Sequence, residues 1–309
     1  MTSFSVRLSD KIFIMKLHKI IVGMIFCFGL SYAGAEECMN LLQSKDYTKA
    51  IELANKSLKW NKYDFNYNMC AAMSYLSLGE PKNALSYLEH AVRNANTRYQ
   101  KEALYNYTGV SYDMIGDKAK ALDYYTKAYK IAKSLQDKKG EIDNLSNIAH
   151  IFYSRGYYDS AINFYKKALK QDPNSPTILN NIALCYSDLN HPHKALDYYA
   201  KASEAFNANK DRVHEGATYL NMGVLYLKLL DFKDAKAYIE KGLDMVKGNK
   251  YWEAVGYQYL AWYYDNKSQK DKAIVFYQKA LNLAKEIGAK DLANVIEQNL
   301  SNEEVASEY

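Results

Sequence analysis

Few side chains in this sequence are spaced for chemistry, and each group can be named. His191-Pro192-His193 places two imidazoles two residues apart. As a metal pair they lack the further ligands that a four-coordinate structural zinc site needs nearby, and a solvated turn accounts for them. Glu303-Glu304 pairs two carboxylates, a combination used in acid–base work, but in a terminal stretch with no pocket around it. No Gly-rich phosphate loop, no His-Glu-x-x-His and no Gly-x-Ser-x-Gly occurs. The expectation is a chain with no catalytic residues, no cofactor and no metal. An active site converging from residues distant in sequence stays open as a rival. Of the four cysteines, Cys27 lies in an apolar N-terminal run, and Cys38, Cys70 and Cys185 follow it.

One further pattern carries binding chemistry. Asn147, Asn181 and Asn221 follow one another at intervals of 34 and 40 residues. A side-chain amide both donates and accepts, so a row of them can pair with a peptide backbone without reading its sequence. The competing account is that such amides satisfy backbone groups of their own fold. Either account needs a repeated element to hold them in line.

The composition bounds that element. Of 309 residues, 49% are hydrophobic and 24% charged, enough to build a core and to exclude wholesale disorder. Only 14 Gly and 4 Pro occur, too few turn-formers for a many-stranded sandwich or barrel, which leaves helix. Lys and Arg number 40 against 35 Asp and Glu, a dispersed excess that gives no argument for nucleic acid. The 30 Tyr exceed ordinary usage and need a structural account.

The first 35 residues read as an export signal. Lys16, His18 and Lys19 precede an uncharged run from Ile20 to Leu30, and the small residues Ala33-Gly34-Ala35 follow. The expected cleavage is after Ala35, with Ala33 as the alternative, and Met15 opens a conventional signal by itself. The run is shorter than the roughly 20 apolar residues of a bilayer span, so cleavage is expected over a retained anchor. Neither Cys27 nor Cys38 has the small residues before it that a lipidated cysteine needs. Removal takes away Arg7, Lys11, Lys16, Lys19 and Asp10, leaving 36 basic against 34 acidic residues, a balance of +2 that gives no strong field for polyanions or a membrane surface, and no stable membrane insertion is expected after cleavage.

The remainder repeats one line. A small residue is followed by an aromatic three on, a turn four later, Ala five later, an aromatic or aliphatic four later and Ala three after that. One copy reads Ala149, Phe152, Gly156, Ala161, Tyr165 and Ala168; another reads Gly109, Tyr112, Gly116, Ala121, Tyr125 and Ala128. Ala50, Ala84, Ala121, Ala161, Ala195, Ala235 and Ala273 mark seven copies at intervals of 34, 37, 40, 34, 40 and 38. This pattern resembles the tetratricopeptide repeat, whose period is about 34. The resemblance covers residues 36–288. It departs from the family at its early tryptophan, which is absent, and at its terminal proline, matched well only by Pro173. It implies an all-α, right-handed superhelical solenoid of helix-turn-helix repeats, each a helix A and an antiparallel helix B. The longer intervals most simply lengthen helix B. Leu292, Val295, Ile296 and Leu300 form a stripe that reads as a capping helix within 289–309, with an acidic tail from Ser301 expected to fray. Tyr75, Tyr112, Tyr186, Tyr226 and Tyr264 take one helix A position, and Tyr125, Tyr165, Tyr199 and Tyr277 one helix B position, both packing positions. Cys38 and Cys70 fall on helices A of adjacent copies, which admits a bridge; buried free thiols are the alternative.

In such proteins the helices A line a concave groove that takes an extended peptide or a helix. Carried onto this chain, the groove residues are Asn106, Asn147, His150, Tyr153, Asn180, Asn181, Leu184, Asn221, Lys228, Gln258 and Trp262. Lys228 is the main inward cation, too little for the basic clamp by which some relatives hold a C-terminal carboxylate. The expected function is a non-catalytic interaction scaffold of the cell envelope, periplasmic or secreted, with a protein or peptide partner. Holding outer-membrane subunits during assembly is a special case. The alternative is a ligand-binding sensor that works with a separate signalling protein.

Overall fold

A computed structural model of the chain describes residues 33–307, with side chains over 35–301. The expected export signal falls on residues 1–32, outside the described residues, apart from Ala33-Gly34-Ala35 at the start of the first helix. Among the described residues every regular element is a helix. They group into two compact units, the first ending at Gln171 and the second beginning at Asp172.

The first unit runs α1 (Ala33–Gln43), α2 (Tyr47–Leu58), α3 (Phe65–Ser77), α4 (Pro81–Ala91), a short 3-10 turn, α5 (Arg98–Ile115), α6 (Lys118–Leu135), α7 (Lys138–Ser154) and α8 (Tyr158–Leu169). The second runs α9 (Pro176–Asp188), α10 (Pro192–Ala208), α11 (Arg212–Lys228), α12 (Phe232–Val246), α13 (Lys250–Asn266), α14 (Lys270–Glu286) and α15 (Lys290–Ser307). Odd-numbered helices up to α13 are the A members of the pairs and even-numbered ones the B members. The all-α solenoid fold expected from the repeat is the fold observed.

Local chemistry sets the helix starts. Asp46, Asp64, Asp117, Asp137, Asp211 and Asp231 are N-caps whose carboxylates accept from a backbone N–H three residues on. Thr97 and Gln100 form a complete capping box at α5. Gly116 closes α5 with φ +93°, the left-handed conformation that a β-carbon disfavours.

Each pair is held at its small residues. A β-carbon on Gly109 would lie 2.7 Å from the Tyr125 ring, and one on Gly223 would lie 2.5 Å from Ile239. The tyrosines now have their account. Tyr125 and Tyr199 are fully buried between helices. The helix A aromatics stack on an aromatic twelve residues later on helix B: Tyr75 on Tyr87, Tyr112 on Tyr124, Phe152 on Phe164, Tyr186 on Tyr198, Tyr226 on Tyr238 and Tyr264 on Phe276. The ring centroids are 5.2–5.6 Å apart.

One expectation is corrected. The long intervals do not extend helix B alone. Helices α5, α7, α11 and α13 have 17 or 18 residues, against 13 in α3 and α9. An extra turn at the end of a B helix is exposed unless the next A helix starts earlier to cover it. A β-carbon on Gly140 in the first turn of α7 would lie 3.0 Å from that of Ala132 near the end of α6, so the two added turns pack on each other. The last helix, α15, runs from Lys290 through Ser307. Its residues Leu292, Ala293 and Ile296 are buried.

Cys38 on α1 and Cys70 on α3 form a disulfide, their Cα atoms 6.3 Å apart, within the range a bridge requires. Cys185 is buried on α9.

Candidate functional site

The predicted groove residues divide between the two units. In the first, Asn106 on α5 and Asn144 on α7 face one another across adjacent A helices. Asn106 Nδ2 donates to Asn144 Oδ1 at 2.9 Å. Asn144 Nδ2 donates to Glu102 Oε1 at 2.5 Å and to the Gly140 carbonyl at 2.8 Å. All three side chains are buried. Burial pushes the Glu102 carboxyl up to about 7, with Asp137 and Asp143 adding to the effect and the Asn144 hydrogen bond opposing it.

A second polar link joins the same two helices. Asp113 near the end of α5 pairs with Lys118 and lies 3.4 Å from His150 Nδ1 on α7. Burial alone would raise the Asp113 carboxyl. The His150 and Lys118 interactions outweigh it and hold the group below its ordinary range. Asn147 is buried beside them, and the adjacent Ser146 Oγ is buried with no hydrogen-bond partner among the described residues. Tyr153, half-buried, meets the Tyr158 ring at 5.5 Å.

In the second unit Asn221 Nδ2 on α11 donates to Asn180 Oδ1 on α9 at 3.3 Å, and both residues are buried. Lys228 pairs with Asp188 at 2.9 Å, so the main expected cation is already matched by a carboxylate. Asn181, Leu184 and Trp262 are half-buried and retain surface for a partner. Gln258 on α13 is 5% exposed, and its Oε1 has no hydrogen-bond partner among the described residues. Trp262 follows it by four residues, one helical turn along the same face.

The asparagine row therefore has a different geometry from a uniform ladder. Asn221 is bonded to Asn180, Asn147 is buried, and Asn181 alone of the three is half-buried. Glu102 and Asn144 are functional-looking polar groups that sequence reasoning missed. Glu102 does lie four residues before Asn106, on one helix face, but its amide partner belongs to the next A helix. His191, expected in a solvated turn, sits at the N-cap position of α10 with its ring 6.3 Å from that of Tyr186. Among the described residues no group of three or more His, Cys, Asp or Glu is placed to hold a metal ion. No described helix is long and apolar enough to cross a membrane.

Comparison with known proteins agrees with this architecture. Residues 63–134 and 174–247 match a tetratricopeptide repeat model, 149–190 a TPR repeat model, and 256–287 another tetratricopeptide repeat model. Among curated proteins, the Photosystem I assembly protein Ycf3 of Synechococcus sp. (strain CC9605) is 36% identical over 91 residues, 29% of this chain and 51% of that protein. Its counterpart in Prochlorococcus marinus (strain NATL2A) is 42% identical over 88 residues, 28% of this chain and 49% of that protein. The chain thus spans about half the length of the curated relatives it matches. Among solved structures, the apo form of the quorum sensor NprR from B. thuringiensis is similar with a TM-score of 0.67. It is 16% identical, and the match covers 97% of this chain and 99% of that one. The C-terminal part of a TPR repeat-containing protein from Cytophaga hutchinsonii is similar with a TM-score of 0.52 and 21% identity, over 81% of this chain and 95% of that one. At these identities the structural likeness is one of fold.

Proposed function

The chain belongs to the tetratricopeptide repeat family, and from that premise we propose that it is a non-catalytic interaction scaffold of the cell envelope. Repeats of this family generally mediate protein–protein interaction. The partner is an extended or helical protein segment, held against the A helices of the second unit. The observation that carries this reading is the buried, unpartnered Oε1 of Gln258 beside the half-exposed Trp262. A buried acceptor left unmade costs about 1–3 kcal/mol. A backbone N–H of a docked segment would satisfy it while the Trp262 ring supplies apolar contact.

Two features support the envelope. The N-terminal sequence has the order of an export signal, and the Cys38–Cys70 bridge is of a kind that persists in oxidising compartments. The curated relatives named for assembly support a scaffold that holds subunits while a larger complex forms; the subunits held here belong to the envelope in this proposal.

The test is affinity capture from envelope fractions, with wild-type protein run beside the double variant Asn181→Ala/Trp262→Ala. Both positions are half-buried and neither closes a hydrogen bond described above, so the fold should survive. The expected outcome is a captured segment that binds the variant roughly ten-fold or more weakly, with an unchanged melting temperature. Equal affinity for both would remove the site from this face. Failure to capture anything, joined to a melting shift on adding a small peptide, would favour the sensor.

A further inference from the structure

In the first unit, charge concentrates on the edge where B helices end and A helices begin. Cys38 is the sixth residue of α1 and Cys70 the sixth of α3, so the bridge between them sets the two helix starts level. Ala33 therefore lies at the same edge as the turn between α2 and α3. Successive turns of this edge are fastened together. Asn94 Nδ2 donates to the Tyr63 carbonyl at 2.7 Å, the Arg93 guanidinium lies 4.3 Å from the centre of the Tyr63 ring, and Arg98 donates to Ser134 Oγ.

Lys59, Lys62, Arg93, Arg98, Lys138 and Lys139 are all exposed on it. Of the neighbouring carboxylates, Asp64 and Asp137 are engaged as N-caps, while Glu36 and Glu37 at the start of α1, Glu89 on α4 and Glu141 in the first turn of α7 stand on the same edge against the six cations. The second unit provides an internal comparison. There two of the three A helices, α11 and α13, begin with a cation paired with an acid on the B helix of the same pair: Arg212 with Asp244 at 3.0 Å, and Lys250 with Glu286. Arg98 occupies the corresponding place on α5, but its partner on α6 is a serine hydroxyl. Arg98, Lys138 and Lys139 also stand in the first turns of helices, where the backbone dipole disfavours positive charge. Local stability does not account for them.

The same edge exposes apolar surface. Trp60 is 92% exposed, Val92 58% and Tyr99 43%. Cations interleaved with an exposed indole fit an anionic bilayer, with ammonium and guanidinium groups on lipid phosphates and the indole at headgroup depth. A nucleic acid would engage the same cations. The exposed apolar side chain of Val92, with Trp60 and Tyr99 on the same edge, favours the bilayer instead.

We propose that the helix-start edge of the first unit, centred on Lys59, Trp60, Lys62 and Arg93, docks the protein on an anionic membrane surface. This surface is separate from the partner site on the second unit, and either can fail without the other.

The test uses the protein purified in the processed form that an exporting host accumulates, mixed with vesicles of phosphatidylcholine with or without phosphatidylglycerol. Binding is expected to be at least about ten-fold tighter to the anionic vesicles and to weaken as salt rises. The variant Lys59→Glu/Lys62→Glu/Arg93→Glu should bind on the order of a hundred-fold more weakly. Trp60→Phe should lose the blue shift of tryptophan emission on binding. Because Arg93 covers Tyr63, the pair Lys59→Gln/Lys62→Gln serves as a second variant that leaves that contact intact. It should also bind more weakly, and far-ultraviolet circular dichroism reports the fold of each. Equal binding to both vesicles, or undiminished binding by the variants, would overturn the proposal. So would capture of heparin or single-stranded RNA with no affinity for anionic vesicles.

Discussion

Burial sets the behaviour of Glu102. Its carboxyl is raised to about 7 in the fold from an ordinary 4.5. The folded chain therefore holds this proton over a pH range in which the unfolded chain has released it. Stability from this group is fully present below about 4.5 and is lost as pH rises through about 7. Replacing Glu102 by Gln keeps the shape and an acceptor for Asn144 while removing the ionisation. The expected result is a stability gain over wild type of up to about 3 kcal/mol at pH 8 that shrinks toward pH 5. Denaturant melts at the two pH values decide it, and a gap independent of pH would show that Glu102 does not titrate there. Asp113 has the opposite sign, since its folded carboxyl is depressed and its contribution is lost on acidification, so the Gln variant isolates Glu102. Gly223 tests packing at the same scale. Its missing β-carbon leaves room for Ile239, and Gly223→Ala should cost about 1–3 kcal/mol through overpacking. Equilibrium unfolding that matched wild type would mean the pair yields without strain.

Helix pairs are the unit in which the pattern becomes energy. The stacked aromatics recur with a spacing of twelve because the turn between A and B has nearly constant length and returns the chain to the same height. The added turns of α6 and α7 also make sense only as a pair. A helix with one apolar stripe needs a neighbour, and for α14 on its outer side that neighbour is α15. Ending the chain at residue 289 would uncover Ala280 and Ala284 of α14 and remove the buried Leu292 and Ile296. The lost burial is about 3–6 kcal/mol for the two large side chains. The shortened protein should melt lower and self-associate, which light scattering during a thermal ramp would report. A monomer of unchanged melting temperature would deny α15 a capping role.

At the scale of the molecule, the one covalent crosslink among the described residues lies between α1 and α3, with a sequence separation of 32. Closing a loop of that length stabilises the folded chain by about 3–4 kcal/mol on chain-entropy grounds. The double variant Cys38→Ser/Cys70→Ser, or wild type held under dithiothreitol, should lose that amount with no change in helix content at low temperature. Loss of nothing measurable would place the cysteines among ordinary buried residues and withdraw one support for an oxidising location.

The sequence by itself determined the repeat, the helix class and the inward positions of its small and aromatic residues. Gly109 and Tyr125 are an example: the close approach of a glycine to a ring sixteen residues on follows from local helix period and one short turn. Tertiary structure decided which polar groups find partners. Asn147, Asn181 and Asn221 look equivalent along the chain, yet Asn221 is bonded to Asn180. Asn106 joins Asn144 and Glu102, and Gln258 keeps a buried acceptor unmatched. The repeat admitted a Cys38–Cys70 bridge beside buried free thiols, and the fold decided for the bridge; the gathering of Lys59, Trp60 and Arg93 on one edge was not read from the sequence. The physical reason is one of range. A period of 3.6 residues fixes the face on which a side chain stands, whereas a hydrogen bond between neighbouring A helices depends on their mutual height and crossing to within a fraction of an ångström.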